Sequence, residues 1–396
     1  MPLFTRRRLL FGGSAALLAA AGGSWWLLRQ PAAPIGFAYS EDELVRASAF
    51  LAAHPVIDAH AHPGRTFVRG AEHATGMVRL YVWRGTFEQR TVADMRAGGV
   101  DVAAFAAVSD FQTLALSDTT GLTSARAFEP GEAWVSYRRQ IDNLNALVAS
   151  GLVQRIDRPA DIVAVHAKNQ VGALLAVEGG DFLEGNPERV GEAYADGVRS
   201  ITLMHYRHNE LGDIMTEAPR HGGLTDAGAA VVREMNRVGM IVDLAHASEA
   251  TAFGALEASS RPTMASHTHV HQHQAGAPAR FISQSLATAI ASGGGGVIGA
   301  WPAGIGIHDL NGFVDRTLEL IDHVGIDHVC LGTDMDANYK PVLDNYAKLP
   351  IHVAGLFQRG LAEADVAKLV GGNFLRVFEA VQAGSTAERH SRPDVG

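Results

Sequence analysis

Apolar runs of five to nine residues recur along the chain, each flanked by glycines or polar side chains. They cover residues 56–62, 100–108, 171–177, 198–204, 240–245, 262–266, 296–301 and 328–332. The runs are continuous rather than alternating, which is the pattern of strands buried on both faces of a parallel sheet. Between them lie amphipathic stretches that predict helices at 132–149, 225–238 and 311–323. Ser40 followed by Glu41, Asp42 and Glu43 predicts a further helix start, with the acidic groups in its first turn and its end near Ala53. Thr225 and Asp226 predict the start of the helix over 225–238. Eight such strand-then-helix repeats predict an α/β fold, a (β/α)8 TIM-type barrel. The segment 109–170 is long enough to hold more than one helix. The glycines at 293–296 lack the lysine and strand-to-helix context of a phosphate loop and predict a tight entry to the seventh strand.

The two ends of the chain read differently. Thr5-Arg6-Arg7-Arg8-Leu9-Leu10-Phe11 opens an uncharged run that lasts to Leu28 and resembles a bacterial twin-arginine export signal. Ala19-Ala20-Ala21 offers a cleavage site, whereas Trp25-Trp26-Leu27-Leu28 extends the run to membrane-spanning length. Both outcomes place the folded part outside, periplasmic or anchored to the outward-facing side of the membrane. The expected division is a signal or anchor plus linker over 1–35, a barrel over 36–383 and a loose tail over 384–396. Composition narrows the classes further. A net charge of −9 gives no basic footprint for nucleic acid. The single Cys330 excludes an internal disulfide framework.

The candidate chemistry sits at the run ends. His60 and His62 are two residues apart, so a strand projects both to one face. Glu178 follows the third run, His205 the fourth, His246 the fifth, His267 the sixth and Asp334 the eighth. A parallel barrel gathers all these ends on one face. Histidines with a glutamate and an aspartate suit two borderline divalent ions, zinc first among them. Glu178, followed by Gly179 and Gly180, is the natural bridge between two cations. Asp334 is placed to orient a water nucleophile and carry its proton. The reaction expected is hydrolysis at a carbonyl or phosphoryl centre.

These residues resemble the membrane dipeptidase family (renal dipeptidase-like, peptidase family M19) of the amidohydrolase superfamily, over about 55–381. The motifs are Ala176-Val177-Glu178-Gly179-Gly180, Gly197-Val198-Arg199-Ser200-Ile201-Thr202-Leu203, Val242-Asp243-Leu244-Ala245-His246-Ala247-Ser248, Ser266-His267, Gly332-Thr333-Asp334 and Gly371-Gly372-Asn373-Phe374-Leu375-Arg376-Val377-Phe378. The resemblance implies a metal-dependent dipeptidase. In it, Glu178 bridges two zinc ions, His60 serves the first, His246 and His267 serve the second, and Asp334 is the acid/base. It further implies that His205 polarises the scissile carbonyl and that Arg280, in Pro278-Ala279-Arg280-Phe281, pairs with a substrate carboxylate. The expected partner is a dipeptide or N-acyl amino acid, and a homodimer is also entertained.

Two departures stand out. His62 takes the place of the family's aspartate, making the site about one charge more positive. This keeps another amidohydrolase-type activity open, a lactonase or a phosphoester hydrolase, and beyond it an inactive metal-binding protein. The run His267-Thr-His269-Val-His271-Gln-His273 has a family counterpart only at His267. The other three are expected in a solvated loop, with a third ion or a place in the pocket wall as alternatives. Asp58 and Asp243 are read as supports behind the ligands or as loop caps, and Asp336 as a loop residue. His208, His221, His308, His323, His328 and His352 fall off the run ends and are read as surface or core. Pocket walls are expected from 73–90, including Trp83, and from Trp301.

Overall fold

The computed structural model describes residues 32–72, 74, 78–117, 121–271 and 279–385. The arginine-led N-terminal segment, His273 and the tail beyond Ser385 lie outside the described residues. No helix among the described residues is long and apolar enough to cross a membrane.

Eight parallel strands close into a barrel: β1 Ile57–Ala61, β2 Val102–Val108, β3 Gly172–Glu178, β4 Val198–Thr202, β5 Ile241–Asp243, β6 Met264–Thr268, β7 Val297–Ala300 and β8 Val329–Leu331. Each pairs with its neighbours in chain order, and β8 returns to β1 through Asp58↔Leu331. The β2–β3 ladder is the longest, running without interruption from Val102↔Gly172 to Val108↔Glu178. The fold is therefore the (β/α)8 barrel that the apolar runs predict.

Inside the barrel the packed residues alternate along each strand: Ile57 and Ala59 meet Val102, Ala104, Leu174 and Ala176 in one cluster. Helices Pro159–Ala167 and Asn373–Gln382 join that cluster through Ile162, Val165, Phe374 and Phe378, closing the end of the barrel where the strands begin. Each fully buried side chain of this kind contributes about 1.5–3 kcal/mol. Closure also demands small residues. A Cβ on Gly299 or Gly332 would come within 1.7 Å of the Ser266 carbonyl oxygen, so β6, β7 and β8 meet at a distance only glycine allows.

The predicted helix starts hold. Ser40 Oγ accepts the Glu43 N–H at 3.2 Å, and Glu43 Oε2 accepts the Ser40 N–H at 2.7 Å, a reciprocal cap. Thr225 caps Asp226–Val238 by accepting from Gly228 N at 3.0 Å. The segment 109–170 carries helices Glu132–Ala149 and Pro159–Ala167, and also an antiparallel hairpin, Leu114–Ser117 with Gly121–Ser124, that periodicity did not indicate. Four residues of strand on each side are too few to give a period.

Candidate metal centre

The first strand aims its histidines through an irregularity. In β1, Asp58 pairs with Ala103 but Ala61 pairs with Phe105, so β1 carries one extra residue. A bulge of this kind re-aims side chains. Asp58 turns away from the ligands and becomes a clasp. Its Oδ1 accepts from Thr333 N at 2.9 Å and His60 N at 3.2 Å, and its Oδ2 accepts from Tyr346 Oη at 2.6 Å and from the Thr333 hydroxyl. Asp334 N then donates to His60 O at 2.8 Å and His62 N to Met335 O at 2.9 Å. The two ends of the barrel seam are thus tied where His60, His62 and Asp334 sit.

Five imidazoles converge on Glu178. The His60 and His246 Nε2 atoms lie 3.4 and 3.0 Å from its Oε1, and those of His62 and His205 lie 3.2 and 3.3 Å from its Oε2. His267 Nε2 is 3.5 Å from Oε1, and Asp334 Oδ1 is 3.5 Å from His62 Nε2. All of these residues are buried or nearly so. The outer ring nitrogens are held as well: His62 Nδ1 at 3.0 Å from Ala106 O, His267 Nδ1 at 2.9 Å from Ser266 Oγ and His205 Nδ1 at 2.5 Å from Asp110 Oδ1. Such bonds fix the tautomer that presents Nε2 inward. A second clasp supports β5 and β6, where Asp243 accepts from Thr202 Oγ1 and Ser266 Oγ, each at 2.6 Å. His246 and Asp334 both hold left-handed backbone, at φ 67° and 53°, a conformation that stores strain at functional positions.

The arrangement fits cations. The Nε2 atoms of His60 and His62 are 3.3 Å apart and those of His246 and His267 are 3.1 Å apart. Facing nitrogens that close need a proton or a cation between them. Arg280 supplies one, its Nη2 lying 2.9 Å from His246 Nε2 and 3.1 Å from His267 Nε2. Ligand atoms cluster in three sets: His60, His62 and Asp334; His60, Glu178 and His267; and Glu178, His205 and His246. Nitrogen and carboxylate donors in this mixture suit zinc-type ions.

The electrostatics divide along the same lines. Burial works against charge on His60, but Glu178 beside it prevails and raises its pKa to about 9. Burial pushes the Glu178 carboxyl up, but His205 and His60 hold it well below the usual range. His246 and His267 are pushed well down by burial, reinforced by Arg280 and His60 respectively, and so stay neutral donors. Burial raises Asp334 to about 6, against the pull of His62.

A cleft opens above these groups. Its walls differ from expectation in one respect. Val78 and Tyr81 of the segment 73–90 line it, as does Trp301, but Trp83 is 74% exposed and faces solvent. The unpredicted hairpin supplies Leu114 and Leu122, beside Phe67 and Phe111. His269 corrects the solvated-loop expectation. It is buried, with Nε2 3.2 Å from Glu319 Oε2, and burial lowers its pKa to about 4. Its strand Val270–His271 pairs with Ile282–Ser283, which draws the segment onto the barrel. Asp336 is a loop residue as expected, accepting from Gly64 N and Thr91 Oγ1 at 2.7 Å each. Asp110, which orients His205, was missed. It stands two residues beyond β2, a strand-end position like those of the other candidates, after one of the two apolar runs, 100–108 and 296–301, that carry no candidate at their ends.

The family model for membrane dipeptidase, peptidase family M19, matches residues 44–392. Dipeptidase verJ of Clonostachys rogersoniana is 30% identical over 256 residues, 62% of this chain and 64% of that protein. Dipeptidase aclJ of Aspergillus oryzae is 34% identical over 229 residues, 55% of this chain and 53% of that protein. The chain thus spans between half and two thirds of the length of these curated relatives. Among solved structures, the probable dipeptidase PvdM from Pseudomonas aeruginosa has a TM-score of 0.70 at 18% identity, covering 87% of this chain and 99% of that one. A metallo peptidase from Rhodobacter sphaeroides liganded with a phosphinate mimic of the dipeptide L-Ala-D-Ala has a TM-score of 0.67 at 20% identity, covering 83% and 99%. Both share the barrel fold.

Proposed function

Because the chain belongs to the membrane dipeptidase family, peptidase family M19, we propose that it is an exported metal-dependent hydrolase that cleaves the amide bond of dipeptides or small N-acyl amino acids. The observation that carries this reading is the convergence of five imidazoles on the buried Glu178 carboxylate with Asp334 and Arg280 beside them. The dipeptidase names of the curated relatives favour a small peptide substrate. The arginine-led segment at residues 5–28 supports export.

His60, His62, Glu178 and Asp334 would hold one divalent ion, and Glu178, His246 and His267 the other, zinc by donor chemistry. Bound there, the ions would supply Lewis acidity and lower the pKa of a water nucleophile. The remaining work falls to the chain's own groups. Asp334, raised to about 6, takes the water's proton and returns it to the leaving nitrogen. His205, its Nδ1 fixed by Asp110, presents Nε2 towards the developing oxyanion. Arg280 now occupies the lone pairs of His246 and His267. Were His246 and His267 to hold an ion, the guanidinium would need an anionic partner, and a substrate carboxylate would provide one bidentately.

His62 among the ligands favours one second reading, hydrolysis of a lactone or phosphoester at a more positive centre. A panel of dipeptides with L- and D-residues at the C-terminal position, alongside a lactone and a phosphodiester, separates the two. Metal content is measured on the same protein. Amide cleavage that is abolished by chelation and restored by zinc is the expected result. Full metal occupancy without cleavage of any dipeptide or N-acyl amino acid contradicts the reading.

A further inference from the structure

The cleft is lopsided in its hydrogen-bonding groups. On the β5–β6 side it offers donors: the Arg280 guanidinium, and Trp301 Nε1, which is buried with no partner among the described residues. Across the barrel mouth, the loops after β1 and β2 offer mostly hydrocarbon, with the Tyr81 ring, besides His62, the one polar-tipped side chain they add to the lining among the described residues. Phe67 lies against His62 with ring centroids 5.3 Å apart and against Phe111 at 4.9 Å. Val108, Leu114 and Leu122 complete this wall. The only carboxylates lining the cleft among the described residues are Glu178 and Asp334. Both Glu178 oxygens already face imidazole nitrogens.

A substrate whose carboxylate pairs with Arg280 must direct its other end to the hydrocarbon wall. If that end carried an ammonium group, as a dipeptide does, three N–H donors and a positive charge would enter a wall that offers no free anionic acceptor among the described residues. An ionised amine buried without a partner is strongly disfavoured. Among the described residues Asp334 is the one lining carboxylate besides Glu178, and pairing it with an ammonium would remove the group that moves the proton. His62 sharpens the mismatch, because it places an imidazole beside the wall. Any divalent cation bound at the centre adds further repulsion.

We propose that the preferred substrate is an N-acyl amino acid whose acyl group is a neutral, apolar chain or aryl group, not a dipeptide with a free amino terminus. This rests on the amide-hydrolase reading above. Water oxygen joins the acyl carbon. The C–N bond breaks with its electron pair passing to nitrogen, which takes a proton. The products are an apolar carboxylate and a free amino acid.

The test is a matched pair that differs only in the amine: phenylalanyl-alanine and 3-phenylpropanoyl-alanine, each with L- and D-alanine, on the full chain loaded with zinc. The expected result is a kcat/KM at least about tenfold higher for the des-amino compound, with 3-phenylpropanoate inhibiting at lower concentration than phenylalanine. Two wall variants provide a second measure. Leu116 and Leu122 both line the cleft from the hairpin; Leu116 is 54% exposed, so Leu116→Glu adds a carboxylate to the rim of the wall without burying it, and Leu122→Glu places one deeper on the lining. Either should move the preference towards the amine by about tenfold. Equal or faster cleavage of phenylalanyl-alanine by the unsubstituted protein overturns this inference and leaves the amide-hydrolase reading standing. An unmoved preference in both variants overturns the role of the wall. Cleavage of neither compound overturns the amide-hydrolase reading and this inference with it.

Discussion

The β1–β8 side of the barrel mouth and the β5–β6 side are built from the same parts and differ in charge. Each presents two imidazoles to Glu178, and each rests on a buried aspartate that clamps neighbouring strands: Asp58 with Thr333 and Tyr346, Asp243 with Thr202 and Ser266. On the β1–β8 side the imidazoles face a carboxylate, Asp334, and His60 is driven towards its charged form by Glu178. On the β5–β6 side they face the Arg280 guanidinium and are held neutral. A symmetric ligand cage thus sits between an anionic partner suited to moving protons and a cationic partner suited to gripping a carboxylate. On the function proposed above, the chemistry would be set less by the ligands than by what stands behind each pair.

The strongest way to break this comparison is to remove the group both sides share. Glu178→Gln should release ions from both sides and lower turnover by more than about a thousandfold, since the charge stabilisation lost is worth several kcal/mol. Metal content and initial rates on the same sample check it, and retention of ions on one side alone would show that the sides are independent. Asp334→Asn should cost about a hundred- to ten-thousandfold in kcat while both ions stay bound. Loss of an ion instead would make Asp334 chiefly a ligand. Arg280→Met should leave kcat nearly unchanged and lower kcat/KM about 10- to 100-fold for carboxylate-bearing substrates, from about 1.5–3 kcal/mol of charge-assisted bonding. An uncharged ester or amide lacking the carboxylate should lose nothing. The smallest effect is expected at the supports. Asp58→Asn and Asp243→Asn should each reduce stability by about 1–3 kcal/mol in urea unfolding, the first weakening ion binding on the β1–β8 side and the second on the β5–β6 side.

Much of this site was legible because a parallel barrel converts position along a strand into position in space. His60, Glu178, His205, His246, His267 and Asp334 are far apart in sequence, yet each ends a strand or follows one closely, and the fold places them around one carboxylate. What escaped depended on local irregularity or on long-range packing. The extra residue in β1 that sends Asp58 away from His60 leaves no trace in the alternation of apolar residues. The contact of Arg280 with His246 and His267 joins residues 34 and 13 positions apart in the chain, a separation that local pattern does not read. The short hairpin that walls the cleft, and the burial of His269 against Glu319, are set by tertiary contacts rather than by local pattern. Asp110, two residues beyond β2, obeys the same rule of position as the ligand candidates.

The central claim is that Glu178 is shared by two cation sites of unlike surroundings. Diffraction from zinc-soaked crystals on either side of the zinc absorption edge tests it most directly. The account predicts two anomalous peaks flanking the Glu178 carboxylate, one among His60, His62 and Asp334 and one between His246 and His267, with Arg280 withdrawn from those nitrogens. A single peak, or none with Arg280 still seated on His246 and His267, would contradict it.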